Sequence, residues 1–114
     1  MDQHGAVAAF GALSQETRLC IVRLLVRAGA DGMSAGAIAE TLDVSPSNMS
    51  FHLKDLEHAD LIAARRAARS IIYAAKYSTL RTLVEFLMKD CCAGHPEICK
   101  PGRAPERKRK KAYA

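Results

Sequence analysis

The spacing of apolar residues along the chain changes from a helical period to a strand-like period and then back again. A short helix over residues 6–13 is followed by a second helix from about Gln15 to Ala28, capped by Ser14 and stopped by Gly29. Apolar positions three and four residues apart predict its buried face, with Cys20 as a small core residue on or near it. That face comprises Leu19, Val22, Leu25 and Val26.

Two short helices separated by a tight connection come next. Residues 30–33 are predicted to form a turn, after which Ser34 caps a helix that turns Ile38, Ala39 and Leu42 inward. Asp43 and Val44 form the connection, and Ser45 caps a helix from Pro46 to about His58. Proline at the first helical position loses no hydrogen bond. This arrangement predicts a helix-turn-helix.

The second of these helices has two chemically different faces. Met49, Leu53 and Leu56 are spaced four and three residues apart, which places them in one narrow arc and predicts burial. The opposite arc has mostly small or hydrogen-bonding side chains near the helix N-terminus, which can enter a DNA major groove. The predicted DNA-binding residues on this arc are Ser47, Asn48, Ser50, Phe51 and Lys54.

A β-hairpin is predicted after the second of these helices. Residues 61–66 and 70–75 have the composition of two short strands around Ala67, Ala68 and Arg69, although the usual glycine of a tight turn is missing. Arg65, Arg66 and Arg69 are predicted to lie together at its tip. Three guanidinium groups on a protruding hairpin suit contacts with phosphates or with the minor groove of DNA.

The last helix is predicted to begin at Ser78 or Thr79 and to end before Gly94 and Pro96. Its apolar stripe is wide and continuous, which in a small domain favours pairing with the same helix of a second subunit. The stripe consists of Leu80, Leu83, Val84, Leu87, Met88 and Cys91. The expected fold is therefore mainly α-helical with a small β-hairpin, assembled as a homodimer through terminal helices.

Charge is distributed unevenly along the 114 residues. Residues 100–114 have seven basic residues and one acidic residue, a net of +6, so residues 1–99 sum to −1 within the formal net charge of +5. We therefore expect one folded domain over residues 1–99 and a disordered basic tail over residues 100–114. No apolar run approaches the roughly 20 residues that span a membrane, and the N-terminus lacks the basic region of a signal peptide. These features predict a cytoplasmic protein with no membrane partner.

Three of the four cysteines, Cys91, Cys92 and Cys99, fall within nine residues. Cytoplasmic thiols stay reduced, so such a cluster favours soft-ion binding or redox sensing over a structural disulfide. Trivalent arsenic and antimony suit three thiolate ligands, and the intervening turn is long enough to bring Cys99 back to the adjacent pair. Two alternatives remain: a zinc or cadmium site that adds His95, and a disulfide from Cys99 to Cys91 or Cys92.

The order of these elements resembles the ArsR/SmtB family of winged-helix repressors over roughly residues 6–90. Residues 13–19, LSQETRL, are similar to the start of the family's second helix, and residues 45–56, SPSNMSFHLKDL, to its recognition helix. Residues 65–73 are similar to the family's wing, except that Ala68 stands where glycine is frequent. The resemblance implies a homodimer that represses by binding double-stranded operator DNA and dissociates when its inducer binds.

The familiar Cys-Val-Cys metalloid site of this family is missing, because residues 37–43, AIAETLD, contain no thiol. The chain instead resembles an arsenic-responsive subgroup in which a Cys-Cys pair and one further cysteine lie near the C-terminus. This implies As(III) or Sb(III) as the inducer, bound by Cys91, Cys92 and Cys99. An enzyme is not expected, since the chain has no Cys-X-X-Cys, no phosphate-binding glycine loop and no βαβ pattern.

Overall fold

The computed structural model describes residues 1–89, and these form a mainly helical domain with a small antiparallel sheet. Its order confirms the predicted winged helix-turn-helix. The helices are α1 (Gln3–Leu13), α2 (Glu16–Ala28), α3 (Ala35–Leu42), α4 (Pro46–His58) and α5 (Tyr77–Met88), with a single 3₁₀ turn at Gly29–Asp31. The strands are β1 (Met33–Ser34), β2 (Ile62–Ala67) and β3 (Ser70–Ala75).

The junction of α1 and α2 differs from its prediction. α1 begins at Gln3 rather than near residue 6, because the Asp2 carboxylate accepts a hydrogen bond of 2.8 Å from the Gly5 amide. Ser14 does not cap α2, since its hydroxyl donates back to the Gly11 carbonyl oxygen at 2.8 Å and closes α1. Gln15 caps α2 instead, accepting at 2.9 Å from the Arg18 amide.

The buried face of α2 was also predicted incorrectly in part. Val22 and Leu25 are buried as expected, but the third buried residue is Ile21. Leu19 and Val26 are exposed, and so is Cys20, which is therefore not a core residue. α2 offers two overlapping apolar arcs, and its packing against α1, α4 and β3 selects the arc centred on Ile21 and Leu25.

The helix-turn-helix forms as predicted. The Ser34 hydroxyl accepts from the Ala37 amide at 3.1 Å, and the Ser45 hydroxyl accepts from the Asn48 amide at 3.3 Å, so both predicted caps are confirmed. Asp43 adopts the left-handed conformation at the end of α3, with φ of 57°, which turns the chain toward α4. Met49, Leu53 and Leu56 are buried, which confirms the predicted core face of α4.

The sheet has one strand more than the predicted hairpin. β3 pairs with β2 from Ala67↔Ser70 to Ile62↔Ala75, and on its other side with β1, where Met33 is opposite Tyr73. A two-residue strand has too little alternation to be recognised in a sequence, so residues 30–33 were predicted as a turn. Gly32 precedes β1 with φ of 68°, and a Cβ at this position would collide with the Tyr73 carbonyl oxygen.

The start of α5 is fixed by polar contacts to the α4–β2 connection. The Asp60 carboxylate accepts from Lys76 Nζ at 2.6 Å and from the buried Thr79 hydroxyl at 3.0 Å. The Lys76 hydrogen bond holds the pKa of Asp60 below its ordinary value, against a smaller opposing effect of burial. α5 begins earlier than predicted, at Tyr77, and its N-cap residue Lys76 makes no side-chain capping hydrogen bond.

The rest of α5 packs one face on the aliphatic core and leaves another exposed. Leu83 is buried against that core and Leu80 is half-buried. Val84 and Leu87 are each 60% exposed. Within residues 1–89, no helix is long and apolar enough to cross a membrane. The predicted continuation of α5 to Cys91, its end near Gly94, the domain limit at residue 99 and the basic tail lie outside the described residues.

The turn of the β2–β3 hairpin is strained at Ala68. Its φ of 56° is unfavourable for a residue with a Cβ and is the conformation that glycine supplies in tight hairpins. Ala68→Gly should raise the free energy of unfolding by about 0.5–1 kcal/mol, measured by urea denaturation. Ala67→Gly, one residue earlier in β2, is the matched control and should lower it by a similar amount. Destabilisation by both substitutions would contradict this account of the turn.

Candidate nucleic-acid interface

One surface of α4 displays the side chains that the sequence nominated for DNA contact. All five are exposed, and they lie on the side of the helix opposite its buried face. Phe51 is 69% exposed, the largest exposed fraction among the large apolar side chains of the described residues. The structure therefore brings together Ser47, Asn48, Ser50, Phe51 and Lys54, which we call the recognition surface.

The chemistry of the recognition surface suits contact with DNA bases and phosphates. Asn48 offers an amide that can pair with an adenine edge, and Ser47 and Ser50 offer small hydroxyl groups. Phe51 offers an apolar contact of the kind that thymine methyl groups accept, while Lys54 supplies a positive charge for phosphate. In a helix-turn-helix, the N-terminal part of the second helix is the part that contacts base edges.

The hairpin does not gather its three arginines as predicted. Arg65 is opposite Ile72 and Arg66 is opposite Ile71, so the two neighbouring side chains leave opposite faces of the sheet. Arg65 Nη2 donates to the Asp31 carbonyl oxygen at 3.0 Å, which ties this side chain to the loop before β1. Arg66 and Arg69 make no side-chain hydrogen bond or ion pair within residues 1–89, and both are exposed. These two guanidinium groups are available for phosphate.

The wing also packs against α4. Tyr73 on β3 is partly buried, and this burial, together with the negative charge of Glu57 on α4, raises the pKa of the Tyr73 phenol above its ordinary value. The phenol is thus neutral at physiological pH.

One polar atom of α4, the Nδ1 of His52, is buried with no hydrogen-bond partner among the described residues.

The predicted inducer site is not among the residues that the structure describes. Cys91, Cys92 and Cys99 all follow Lys89, where the described chain stops. Within residues 1–89, no group of three His, Cys, Asp or Glu side chains could hold a metal ion. The helix that bears the family's usual Cys-Val-Cys site is α3, and it contains no thiol.

An arginine brace behind the recognition surface was missed by sequence reasoning. Arg18 Nε donates to the Ala12 carbonyl oxygen at 2.7 Å, and its Nη1 lies 3.3 Å from Asp55 Oδ2 on α4. The contact to Asp55 joins residues far apart in the chain, so local sequence patterns do not reveal it. The one signal in the sequence was that Arg18 lies within the LSQETRL motif.

Known proteins that resemble this chain have the same helix-turn-helix domain. The family model described as a helix-turn-helix domain matches residues 13–65. The transcriptional repressor SdpR of Bacillus subtilis is 34% identical over 79 residues, which cover 69% of this chain and 84% of SdpR. An ArsR-like transcriptional regulator from Rhodococcus sp. RHA1 superposes with a TM-score of 0.72 at 27% identity, over 83% of this chain and 87% of that one.

The chain belongs to the ArsR-like winged helix-turn-helix regulators. It is a transcriptional regulator and not an enzyme, since its relatives in this family regulate transcription through a DNA-binding helix-turn-helix. A more distant structure of the same fold is a homodimeric winged helix-turn-helix DNA-binding domain from Mycobacterium bovis. It is 22% identical, with a TM-score of 0.63 over 75% of this chain and 83% of that one.

The exposed Arg66 guanidinium, which has no partner within residues 1–89, predicts a phosphate contact that its substitution should remove. Arg66→Ala should weaken binding to duplex DNA several-fold and reduce the slope of log affinity against log salt by about one, because one phosphate contact is lost. Fluorescence anisotropy at several salt concentrations measures both quantities. Arg23→Ala removes the same charge from the exposed side of α2 and should leave the slope unchanged. Equal slopes for wild type and Arg66→Ala would contradict a phosphate contact by the wing.

Proposed function

We propose that this regulator is an As(III)- or Sb(III)-responsive repressor. It binds operator DNA as a homodimer and dissociates from it when Cys91, Cys92 and Cys99 bind the trivalent ion. The observation that best supports DNA binding is the recognition surface, which is exposed on the side of α4 opposite the buried Met49, Leu53 and Leu56. Its DNA-contacting residues are Ser47, Asn48, Ser50, Phe51 and Lys54, with Arg66 and Arg69 from the wing. Arg65, whose side chain is held by the Asp31 carbonyl oxygen, adds positive charge beside them.

The homodimer is supported by apolar side chains left exposed on α1 and α5. Val7 is 63% exposed on α1, and Val84 and Leu87 are each 60% exposed on α5. These two helices pack against each other, so their outer faces can form one continuous layer. A twofold axis through this layer would cover the apolar residues and present two recognition surfaces on one side of the dimer. The homodimeric relative from Mycobacterium bovis has the same fold.

The position of the thiols in the sequence supports a link between the ion and the dimer. α5 ends at Met88, and Cys91 and Cys92 follow three and four residues later. An ion that gathers these thiolates with Cys99 would act at the end of the helix proposed to form the dimer interface. Ordering the chain there can shift one subunit against the other and misalign two recognition helices with successive major grooves.

Two other inducers are compatible with the same thiols. A Cys3His site that includes His95 would respond to zinc or cadmium. A disulfide from Cys99 to Cys91 or Cys92 would respond to oxidants. The exposed Cys20 is a further thiol that an oxidant or an arsenical can reach, so Cys20→Ser is the necessary background for testing the other three.

The test is a DNA-release titration with the Cys20→Ser protein on a duplex selected from a random library. Arsenite should raise the dissociation constant at least about tenfold, a typical magnitude for coupling between two ligands. The Cys91, Cys92 and Cys99 triple serine variant should bind the duplex normally and show no release. Arsenite enters as neutral As(OH)3, whose hydroxyl groups leave as water with the thiol protons, so its binding should depend little on pH. Binding of a zinc or cadmium ion should instead weaken at lower pH, because that ion must displace thiol protons.

Parallel titrations separate the alternatives. Release by zinc or cadmium but not by arsenite, lost in His95→Ala, would replace the proposed inducer with a metal ion. Release by mild oxidation alone, with a crosslinked peptide containing Cys99 found by mass spectrometry, would establish a redox switch. Arsenite-induced release that persists in the triple serine variant would contradict the proposed site.

A further inference from the structure

A single side chain connects three helices behind the recognition surface. Arg18 lies in the first turn of α2, where its amide donates to Gln15 Oε1 at 2.9 Å. Its Nε donates to the Ala12 carbonyl oxygen in the last turn of α1 at 2.7 Å, and its Nη1 lies 3.3 Å from Asp55 Oδ2 on α4. One planar guanidinium therefore binds the end of α1 and the side of α4 at the same time.

The two contacts occupy different environments. The Arg18 side chain is only 18% exposed, whereas that of Asp55 is 57% exposed. A carbonyl in the last turn of a helix lacks an intrahelical partner, so Arg18 supplies the hydrogen bond that the end of α1 needs. The pair with Asp55 is half-exposed, and pairs of that kind contribute little to the stability of a fold. The pair does, however, link the side of α4 to the end of α1.

The position of Asp55 makes this placement relevant to DNA. Asp55 directly follows Lys54 and lies one helical turn after Phe51, so it is at the margin of the recognition surface. A carboxylate at the edge of a DNA-binding surface repels phosphate and by itself lowers affinity. The pair with Arg18 offsets this charge and links α4 to the end of α1.

We propose that Arg18 is a positioning residue that transmits the placement of α1 to the recognition helix through Asp55. The inference rests on the function proposed above, because α1 and α5 form the layer in which the dimer and its inducer are placed. A shift of that layer would move the Ala12 carbonyl group, and the guanidinium would carry the shift to α4. The DNA preference of the regulator, and its loss on induction, would then depend on this brace.

Asp55→Ala tests the proposal, because positioning and simple electrostatics predict opposite changes in the affinity for operator DNA. Removing an exposed anion should strengthen binding to a scrambled duplex. If Asp55 positions α4, binding to the selected operator should weaken about fivefold instead, in the range of measured couplings between contacting residues. The ratio of operator affinity to scrambled affinity should fall, and the arsenite-induced change in operator affinity should shrink with it. The melting temperature should stay close to that of the wild type.

Three further variants of the full-length chain complete the test. Arg18→Lys keeps the charge but loses the planar fork, and should lower the operator preference as Asp55→Ala does. The double variant should be no worse than Arg18→Lys alone, because both changes break the same contact. Glu57→Ala removes another exposed acid from α4 and should leave the ratio unchanged.

Two outcomes would overturn the inference. One is an increase in affinity of Asp55→Ala for both duplexes by the same factor, which is the effect of charge alone. The other is full additivity of the Arg18 and Asp55 substitutions. Failure of the proposed function looks different: the wild type itself would show no operator preference or no release by arsenite. If only arsenite release fails in the wild type, the operator preference still tests the brace.

Discussion

The burial of one face of α4 is the constraint on which the rest of the structure depends. Met49, Leu53 and Leu56 are almost completely removed from solvent among the aliphatic side chains of α2, α3 and β2. Deleting any one of these side chains would remove several kilocalories per mole of transfer and packing free energy, which exceeds the contribution of any exposed contact nearby. Because a helix is rigid about its axis, fixing the buried arc also fixes the opposite arc, and Phe51 and Asn48 must face outward.

Polar contacts refine the orientation that the core sets. Ser34 and Ser45 fix where α3 and α4 begin, and Asp43 in the left-handed conformation sets the angle between them. Asp60 joins the start of α5 to the connection after α4, and Arg18 joins the end of α1 to α4. The helices of the proposed dimer layer are thus attached to the recognition helix from two sides. Such paired attachments allow a small displacement in one layer to alter the other.

The sequence predicted the parts of the fold that depend on local rules. The caps at Ser34 and Ser45, the proline at the start of α4 and the three-residue core face of that helix were correct, because capping and helical period are properties of neighbouring residues. The cap predicted at Ser14 was wrong, since two adjacent polar residues compete there and Gln15 caps α2. The hairpin was predicted from β-rich composition, although Ala68 occupies a position that favours glycine. The recognition surface followed directly from the buried face opposite to it.

Other features depend on packing between distant segments, and these were predicted incorrectly or missed. The choice of Ile21 over Leu19 on α2, and the exposure of Cys20, are set by the neighbours of α2 rather than by its period. β1 exists because Met33 and Ser34 find partners about 40 residues later in β3. The division of the hairpin arginines depends on strand register, and the Arg18 brace on contacts made by the folded chain.

The central claim is that two copies of this chain present their recognition helices to DNA together. Hydroxyl-radical footprinting of the full-length protein on a selected operator tests it most directly. The account predicts two protected segments related by twofold symmetry, with centres separated by about one helical turn of 10 base pairs or a multiple of it. A single protected half-site at saturating protein, or uniform protection without sequence preference, would contradict it.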